Sequence, residues 1–355
     1  MNEKSNKTTL LDCTLRDGSY AINFQFTSED TRNICVALED AGINWIDIGH
    51  GVGLCASEKG YGDAAETDVA YMDAVSTVLK RAKWGMFCIP GIATLDALKE
   101  AIDRGMGFVR IGVNLEHYQD VRPFVELARK HNLFTCVNFM KSYTRPPEDF
   151  AKYAQEAEAY GANLIYLVDS AGGMLPDQIT NYIEAVRVRT KHLRLGFHGH
   201  NNLGLGVANA LRAVELGVEF IDGSLQGMGR SAGNTPSEQF VCALMRMGID
   251  LDIDPLALMD ISEKYIRPLQ SMASIDSLDL VSGLALFHSS YMGTIQKYAR
   301  KFRIDPRRLI IAVCEKDQVN APERLVEDLA SKLAADGMHG AWKAQYKHYY
   351  GREQE

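Results

Sequence analysis

The chain has 355 residues and a formal net charge of −8. That length accommodates one large barrel or two domains around a substantial core, and the acidic balance argues against a general nucleic-acid binder. No apolar run is long enough to cross a bilayer, the start of the chain is polar with no signal peptide, and seven scattered cysteines form no Cys-x-x-Cys pair, so a reduced, cytoplasmic protein with no membrane partner is expected.

In chain order the pattern predicts a strand at Thr9–Leu15, a helix at Thr31–Ala41, strands at Trp45–Gly49 and Gly85–Ile89, and a helix at Thr94–Arg104. Strands at Val109–Val113, Thr135–Phe139, Ile165–Asp169, Leu195–His198 and Phe220–Ser224 then alternate with helices at Tyr118–His131, Pro147–Tyr160, Pro176–Thr190 and Gly204–Leu216. Gly42, Gly161 and Gly217 read as helix C-terminal stops. Cys13, Cys88 and Cys136 lie in apolar strand-like runs and read as small core residues. Eight β-runs alternating with helices imply parallel pairing and right-handed crossovers, and the number and spacing fit a (β/α)₈ TIM barrel. A doubly wound sheet is weakened by the lack of a Gly-rich dinucleotide turn after the first strand. From about Asp250 the pattern is helical only, at Pro255–Tyr265, Ser282–Lys301, Pro306–Cys314 and Arg324–Ala335. A barrel over residues 1–250 and a C-terminal helical appendage over 251–355 are therefore expected. The basic run Arg300-Lys301-Phe302-Arg303 with Arg307-Arg308 reads as a solvated helix face.

Polar residues fall where a barrel collects its chemistry, at the C-terminal ends of strands. They are Arg16 and Asp17, His50, Asn114, Asn138, Asp169 with Ser170, and His198 with His200. His198 and His200 are two apart in a strand and share a face. With Asp17 they make a facial site for a divalent cation such as Mn²⁺, Mg²⁺, Co²⁺ or Fe²⁺, with positions open to substrate. Arg16 beside it suits a 2-oxo acid and the enolate oxygen that forms when a C–C bond breaks. The Gly-rich loop Gly227–Asn234 follows the eighth strand, and Asn234 is a further oxygen ligand candidate. His50 and Ser170 are secondary candidates for substrate contact, while His117, His131, His192, His339 and His348 read as surface residues.

The segment Leu11-Asp12-Cys13-Thr14-Leu15-Arg16-Asp17-Gly18, with His50-Gly51, Tyr166–Ser170, His198–Asn209 and Gly227–Pro236, resembles the DRE-TIM metallolyases, and within them the 4-hydroxy-2-oxovalerate aldolases. The likeness spans nearly the whole chain. It implies a carbon–carbon lyase that cleaves or forms a 4-hydroxy-2-oxo acid, giving pyruvate and an aldehyde through a metal-held pyruvate enolate. Asp17, His198 and His200 would be the ligands, usually of Mn²⁺, and Arg16 the pyruvate clamp. The C-terminal helices in that family dock an acylating aldehyde dehydrogenase, so such a partner, and a homo-oligomer, are implied for this chain.

Two positions depart from the family pattern. A histidine normally stands three residues after the metal aspartate as the base, where this chain has Tyr20. A Tyr-Ser-Ser segment in the C-terminal helices is here His288-Ser289-Ser290. The expectation is an exchange around one cavity: His288 takes the hydroxyl proton and Tyr20 donates a hydrogen bond or acts as the acid. Tyr291, on the same helix face, is an alternative for that position. The longer phenol should reshape the aldehyde side, so the aldehyde is expected to differ from acetaldehyde. Rival readings are a Claisen-type synthase joining an acyl thioester to a 2-oxo acid, and a non-catalytic aldolase-like subunit of a dehydrogenase.

Overall fold

The computed structural model describes residues 8–269 and 277–338; His339 and His348 lie outside the described residues. Eight parallel strands close into a barrel in chain order: β1 (Thr9–Asp12), β2 (Trp45–Ile48), β3 (Lys83–Cys88), β4 (Phe108–Asn114), β5 (Phe134–Met140), β6 (Leu164–Asp169), β7 (Arg194–Gly199) and β8 (Phe220–Gly223). Closure is made by β8 pairing with β1, Thr9 opposite Phe220 and Leu11 opposite Asp222. The crossovers carry α1 (Ser28–Asp40), α2 (Asp68–Ser76), α3 (Leu95–Asp103), α4 (Arg122–Lys130), α5 (Pro147–Tyr160), α6 (Pro176–Arg189) and α7 (Gly206–Glu215); α8 (Ser237–Arg246) follows the last strand. The sequence pattern assigns no helix to the α2 stretch, which Thr67 starts by accepting from the Ala70 N–H. Thr27 and Asp30 form a capping box that begins α1 before the predicted position.

The first strand ends three residues before its predicted end. Asp12 accepts from both the Thr14 N–H and its hydroxyl at 3.0 Å, and the Cys13 carbonyl accepts from the N–H of Asp17 at 2.8 Å. These bonds replace ladder pairing and turn the chain over the rim, which carries Arg16 and Asp17 to the mouth.

Inward-facing residues alternate along each strand and stack in layers. The floor is aromatic: Trp45 lies 4.9 Å from Phe108, 5.0 Å from Phe134 and 4.9 Å from Phe220, ring centre to ring centre. Two residues further along these strands come Asp47, Arg110 and Asp222, all buried. Glycine makes room for the large inward groups: a methyl on Gly112 would meet Phe87 at 2.2 Å, and one on Gly196 would meet Tyr166 at 2.6 Å.

Beyond the barrel, α9 (Pro255–Ile261) packs its Leu258 and Ile261 into the barrel core. A separate core, built on residues such as Ile295, Leu309, Ile310 and Val326, holds α10 (Ser277–Ala285), α11 (Met292–Phe302), α12 (Pro306–Cys314) and α13 (Glu323–Ala335). The single helix predicted at Ser282–Lys301 is two helices with a break between them. Leu286 takes a left-handed φ of 57°, and the His288 ring accepts from the Ser290 N–H at 3.2 Å, starting a short 3₁₀ turn at Ser289–Tyr291. Local side chain-to-backbone bonding of this kind outcompetes helix continuation. His288 and Tyr291 therefore belong to a bent connection rather than one helix face. No helix among the described residues is long and apolar enough to cross a membrane.

Candidate active site

The rim after β1 and the end of β7 bring Asp17 and His198 together, with Asp17 Oδ2 standing 3.2 Å from His198 Nε2. One ligand atom each from Cys13, Asp17 and His198 lie within 4.8 Å of one another. His200 shares their face, its ring centre 5.2 Å from that of His198, but is not part of this tight cluster. The Cys13 thiol donates to the Gly223 carbonyl at 3.3 Å, and burial pushes its pKa well above the usual value. It remains a protonated core thiol, as the sequence suggests, and a poor ligand.

Arg16 is anchored at Nε by Asp47 at 2.9 Å and approaches Asp17 at 3.4 Å, with its guanidinium 4.6 Å from the Phe87 ring centre. Burial works against the Asp17 charge, but Arg16 and the two histidines outweigh it and hold the carboxyl well below the usual range. His198 Nδ1 is 2.7 Å from Asp222 Oδ2. A carboxylate behind an imidazole sets the ring's tautomer and aims Nε2 at the cavity, the arrangement common to metal-bound histidines. Burial opposes charge on His198, and Asp17 and Asp222 overcome it, raising its pKa. His200 is different: burial dominates and brings it down to about 4, with Nδ1 3.3 Å from the Gly233 carbonyl.

The donor chemistry fits a divalent cation on two further counts. Asn234 Oδ1 is a buried oxygen with no hydrogen-bond partner among the described residues, and buried Asp17 Oδ2 faces only the His198 imidazole nitrogen at 3.2 Å among them. Asn234 bridges to His200 through the backbone, which brings the Gly-rich loop beside the cluster.

Above it opens a cavity of about 350 Å³ lined by Arg16, Asp17, His198 and His200 on one side and by Tyr20, His288, Tyr291, Arg230 and Lys141 on the other. Tyr20 and His288 do border one space. Arg230 lies between them, its guanidinium 4.2 Å from the Tyr20 ring centre and its Nη1 3.4 Å from His288 Nε2. Gly51 is required here, since a methyl on it would meet the Phe24 and Tyr20 rings at 2.7 and 2.8 Å. Burial, then Arg230 and Lys141, push the His288 pKa well below the usual imidazole value. Ser170 also lines the cavity, and its hydroxyl accepts from the Lys141 N–H at 3.0 Å.

His50 is not brought to this cavity. Its Nδ1 accepts from the Val52 N–H at 3.0 Å, its Nε2 donates to the Gly62 carbonyl at 3.1 Å, and its face stacks on Phe24 at 3.9 Å. Both ring nitrogens are spent within the loop, so nothing is left for a substrate.

A family model described as HMGL-like matches residues 7–264. 4-Hydroxy-2-oxovalerate aldolase 2 of Rhodococcus jostii (strain RHA1) is 38% identical over 331 residues, covering 93% of this chain and 96% of that protein. The chain belongs to the HMGL-like family. Solved structures agree in fold: the carboxyl transferase domain of Rhizobium etli pyruvate carboxylase superposes with a TM-score of 0.76 at 17% identity, covering 94% of this chain and 61% of that one. Hydroxymethylglutaryl-CoA lyase of Pseudomonas aeruginosa superposes with a TM-score of 0.65 at 19% identity, covering 77% and 96%.

In this HMGL-like barrel the cluster is supported by groups that lie outside the sequence motifs. Arg110, fully buried, bonds to Asp47 at 2.7 Å and also to Asp222, so Arg16 and His198 hang from one ionic set. A signal was present: Trp45-x-Asp47, Phe108-x-Arg110 and Phe220-x-Asp222 each place a charge two residues after an aromatic, hence on the same inward face. Lys141 lies outside those motifs as well, though it follows a strand directly.

Proposed function

We propose that the protein is a divalent-metal-dependent aldolase that cleaves, or forms, a 4-hydroxy-2-oxo acid, giving pyruvate and an aldehyde. The observation that carries this is the contact of Asp17 with His198 beside Arg16, at the barrel mouth of a chain so similar to an aldolase. Asp17, His198 and His200, with Asn234 as a further oxygen, would hold the cation, Mn²⁺ before Mg²⁺ or Co²⁺. When bound, the cation supplies Lewis-acid stabilisation of the enolate charge.

The chain's own groups divide the remaining work. Arg16, held at Nε by Asp47 and with Nη1 3.4 Å from Asp17, keeps its other terminal N–H groups for the 2-oxo acid. Ser170, which uses its oxygen toward Lys141, retains its O–H to donate to the substrate. His288 is kept neutral by its surroundings, and moving its ring proton to Nδ1, where the Ser290 hydroxyl stands 2.6 Å away as an acceptor, opens the Nε2 lone pair to take the C4 hydroxyl proton. The C3–C4 electron pair then passes to the pyruvyl fragment, the aldehyde departs, and a proton returned to C3 gives pyruvate. Tyr20, across Arg230, donates a hydrogen bond to the aldehyde oxygen. An acylating aldehyde dehydrogenase that takes up the aldehyde, and self-association through the helical region 251–355, belong to the same proposal, supported by the separate core of α10–α13.

The test is pyruvate release from a panel of 4-hydroxy-2-oxo acids, with and without chelator. Metal-dependent release is expected, and no release from any acid by metal-loaded protein overturns the reading. His288→Ala is expected to lower turnover by about 10²-fold, within the usual range for positioned acid–base groups, at unchanged metal content. Full activity in that variant ends the exchange of roles between His288 and Tyr20.

A further inference from the structure

The charges around the cavity are not evenly matched. On the inner side Arg16 has two carboxylates, Asp47 at 2.9 Å and Asp17 at 3.4 Å. On the outer side stand two cations that have no carboxylate within 4.0 Å among the described residues: Lys141 and Arg230. Lys141 is 5% exposed, and among the described residues its ammonium donates only to neutral groups, the Tyr291 hydroxyl at 3.2 Å and the Val319 carbonyl at 2.8 Å. The acidic groups that face it are engaged elsewhere. Glu116 lies 4.0 Å from Arg145, and Asp317 accepts from the N–H groups of Val319 and Asn320 at 2.8 and 2.9 Å. Arg230 Nε is buried with no acceptor among the described residues, and its neighbours there include the Tyr20 ring and the His288 nitrogen.

Burying a cation without a counter-charge is costly, and two in one cavity repel each other. Lys141 is also held in a left-handed conformation, φ 54°, with its N–H fixed by the Ser170 hydroxyl from the next strand. Local strain of this kind persists where surrounding bonds impose it, and it clusters at ligand sites. There is space for a longer substrate: a second chamber of about 390 Å³ adjoins the first and shares Tyr20, Val52, Arg230 and Ser290 with it. Asp279 borders that outer chamber, where it accepts from the Ser231 hydroxyl at 2.7 Å.

We propose that the fragment released as aldehyde carries an anionic group of its own, a carboxylate or a phosphate, and that Lys141 and Arg230 bind it. The assignment rests on the aldolase reading and adds its substrate class: a 4-hydroxy-2-oxo acid with a second negative charge at the end remote from the pyruvyl half. Arg16 and the cation site take the first charge, and the two outer cations take the second. The outer charge then decides which aldehyde is used.

The test measures aldol addition of pyruvate by metal-loaded wild type to charged aldehydes and their uncharged counterparts: succinic semialdehyde against its methyl ester, and glyceraldehyde 3-phosphate against glyceraldehyde. The expected kcat/KM advantage of at least one charged member over its counterpart is on the order of 10- to 100-fold, the size of a charge-assisted hydrogen bond. Which pair shows it distinguishes carboxylate from phosphate. The advantage should collapse in Lys141→Met and Arg230→Met and persist in Lys141→Arg. Equal kcat/KM within both pairs overturns the proposal, and the wild-type comparison decides even if a variant does not fold. Deuterium uptake from D₂O into the pyruvate methyl group separates the two levels. Uptake without a preference for charge leaves the aldolase intact and removes the anion site, whereas no uptake removes the aldolase and the anion site with it.

Discussion

Replacing Asp17 by asparagine lowers pyruvate formation by roughly 10³-fold or more, because cation stabilisation of developing charge is worth several kcal/mol and each 1.36 kcal/mol is tenfold. Asparagine keeps the shape and removes the charge, so the defect is electrostatic. Asp17 is 3% exposed and sits between Arg16 and His198, one oxygen 3.4 Å from the guanidinium and the other 3.2 Å from the imidazole. A neutral amide there leaves the cation facing two imidazoles, one of them held at a pKa of about 4 and the other braced by Asp222. Metal retained per chain after dialysis should fall in parallel with activity. A variant that keeps its metal and its rate would remove Asp17 from the ligand set.

Arg110→Met is expected to destabilise the fold by about 3–5 kcal/mol, the usual cost of taking one partner from a buried ionic set. Arg110 is fully buried, bonds to Asp47 and Asp222, and has its guanidinium 4.6 Å from the Tyr166 ring centre. Methionine fills much of the volume, so the loss comes from two carboxylates left without their shared cation. The measurement is the urea midpoint, read with an unchanged dependence on denaturant. The pH sign follows. Burial pushes the Asp222 pKa up and Arg110 is the largest influence that brings it below the usual carboxylate range, so without Arg110 it rises, and the penalty, present at neutral pH, shrinks as pH falls through the carboxylate range. A midpoint equal to wild type would mean that Asp47 and Asp222 find other partners. Activity should fall too, since the same carboxylates fix Arg16 and His198.

The His198-x-His200 pair is local, because the two-residue period of a strand puts both rings on one face whatever the rest does. Asp17 and Arg16 could be paired with it only by assuming a closed barrel, which the β8–β1 ladder supplies. Tyr20 and His288 were expected around one cavity, and they are, but through a broken helix: the His288 ring capping Ser290 cannot be told from a helical His-Ser-Ser without the fold. His50 looked available because its two partners, Val52 and Gly62, are visible only once the loop is folded.

The order of apolar runs and helix-forming stretches sufficed for the barrel, since strands buried on both faces must read as short continuous hydrophobic segments. Chain order alone also placed the metal-binding candidates at strand ends. Charge balance was a matter of three-dimensional packing. Whether a buried Arg or Lys meets a carboxylate depends on which strands become neighbours across the interior, and that is why Arg110 is neutralised while Lys141 and Arg230 have no carboxylate partner among the described residues.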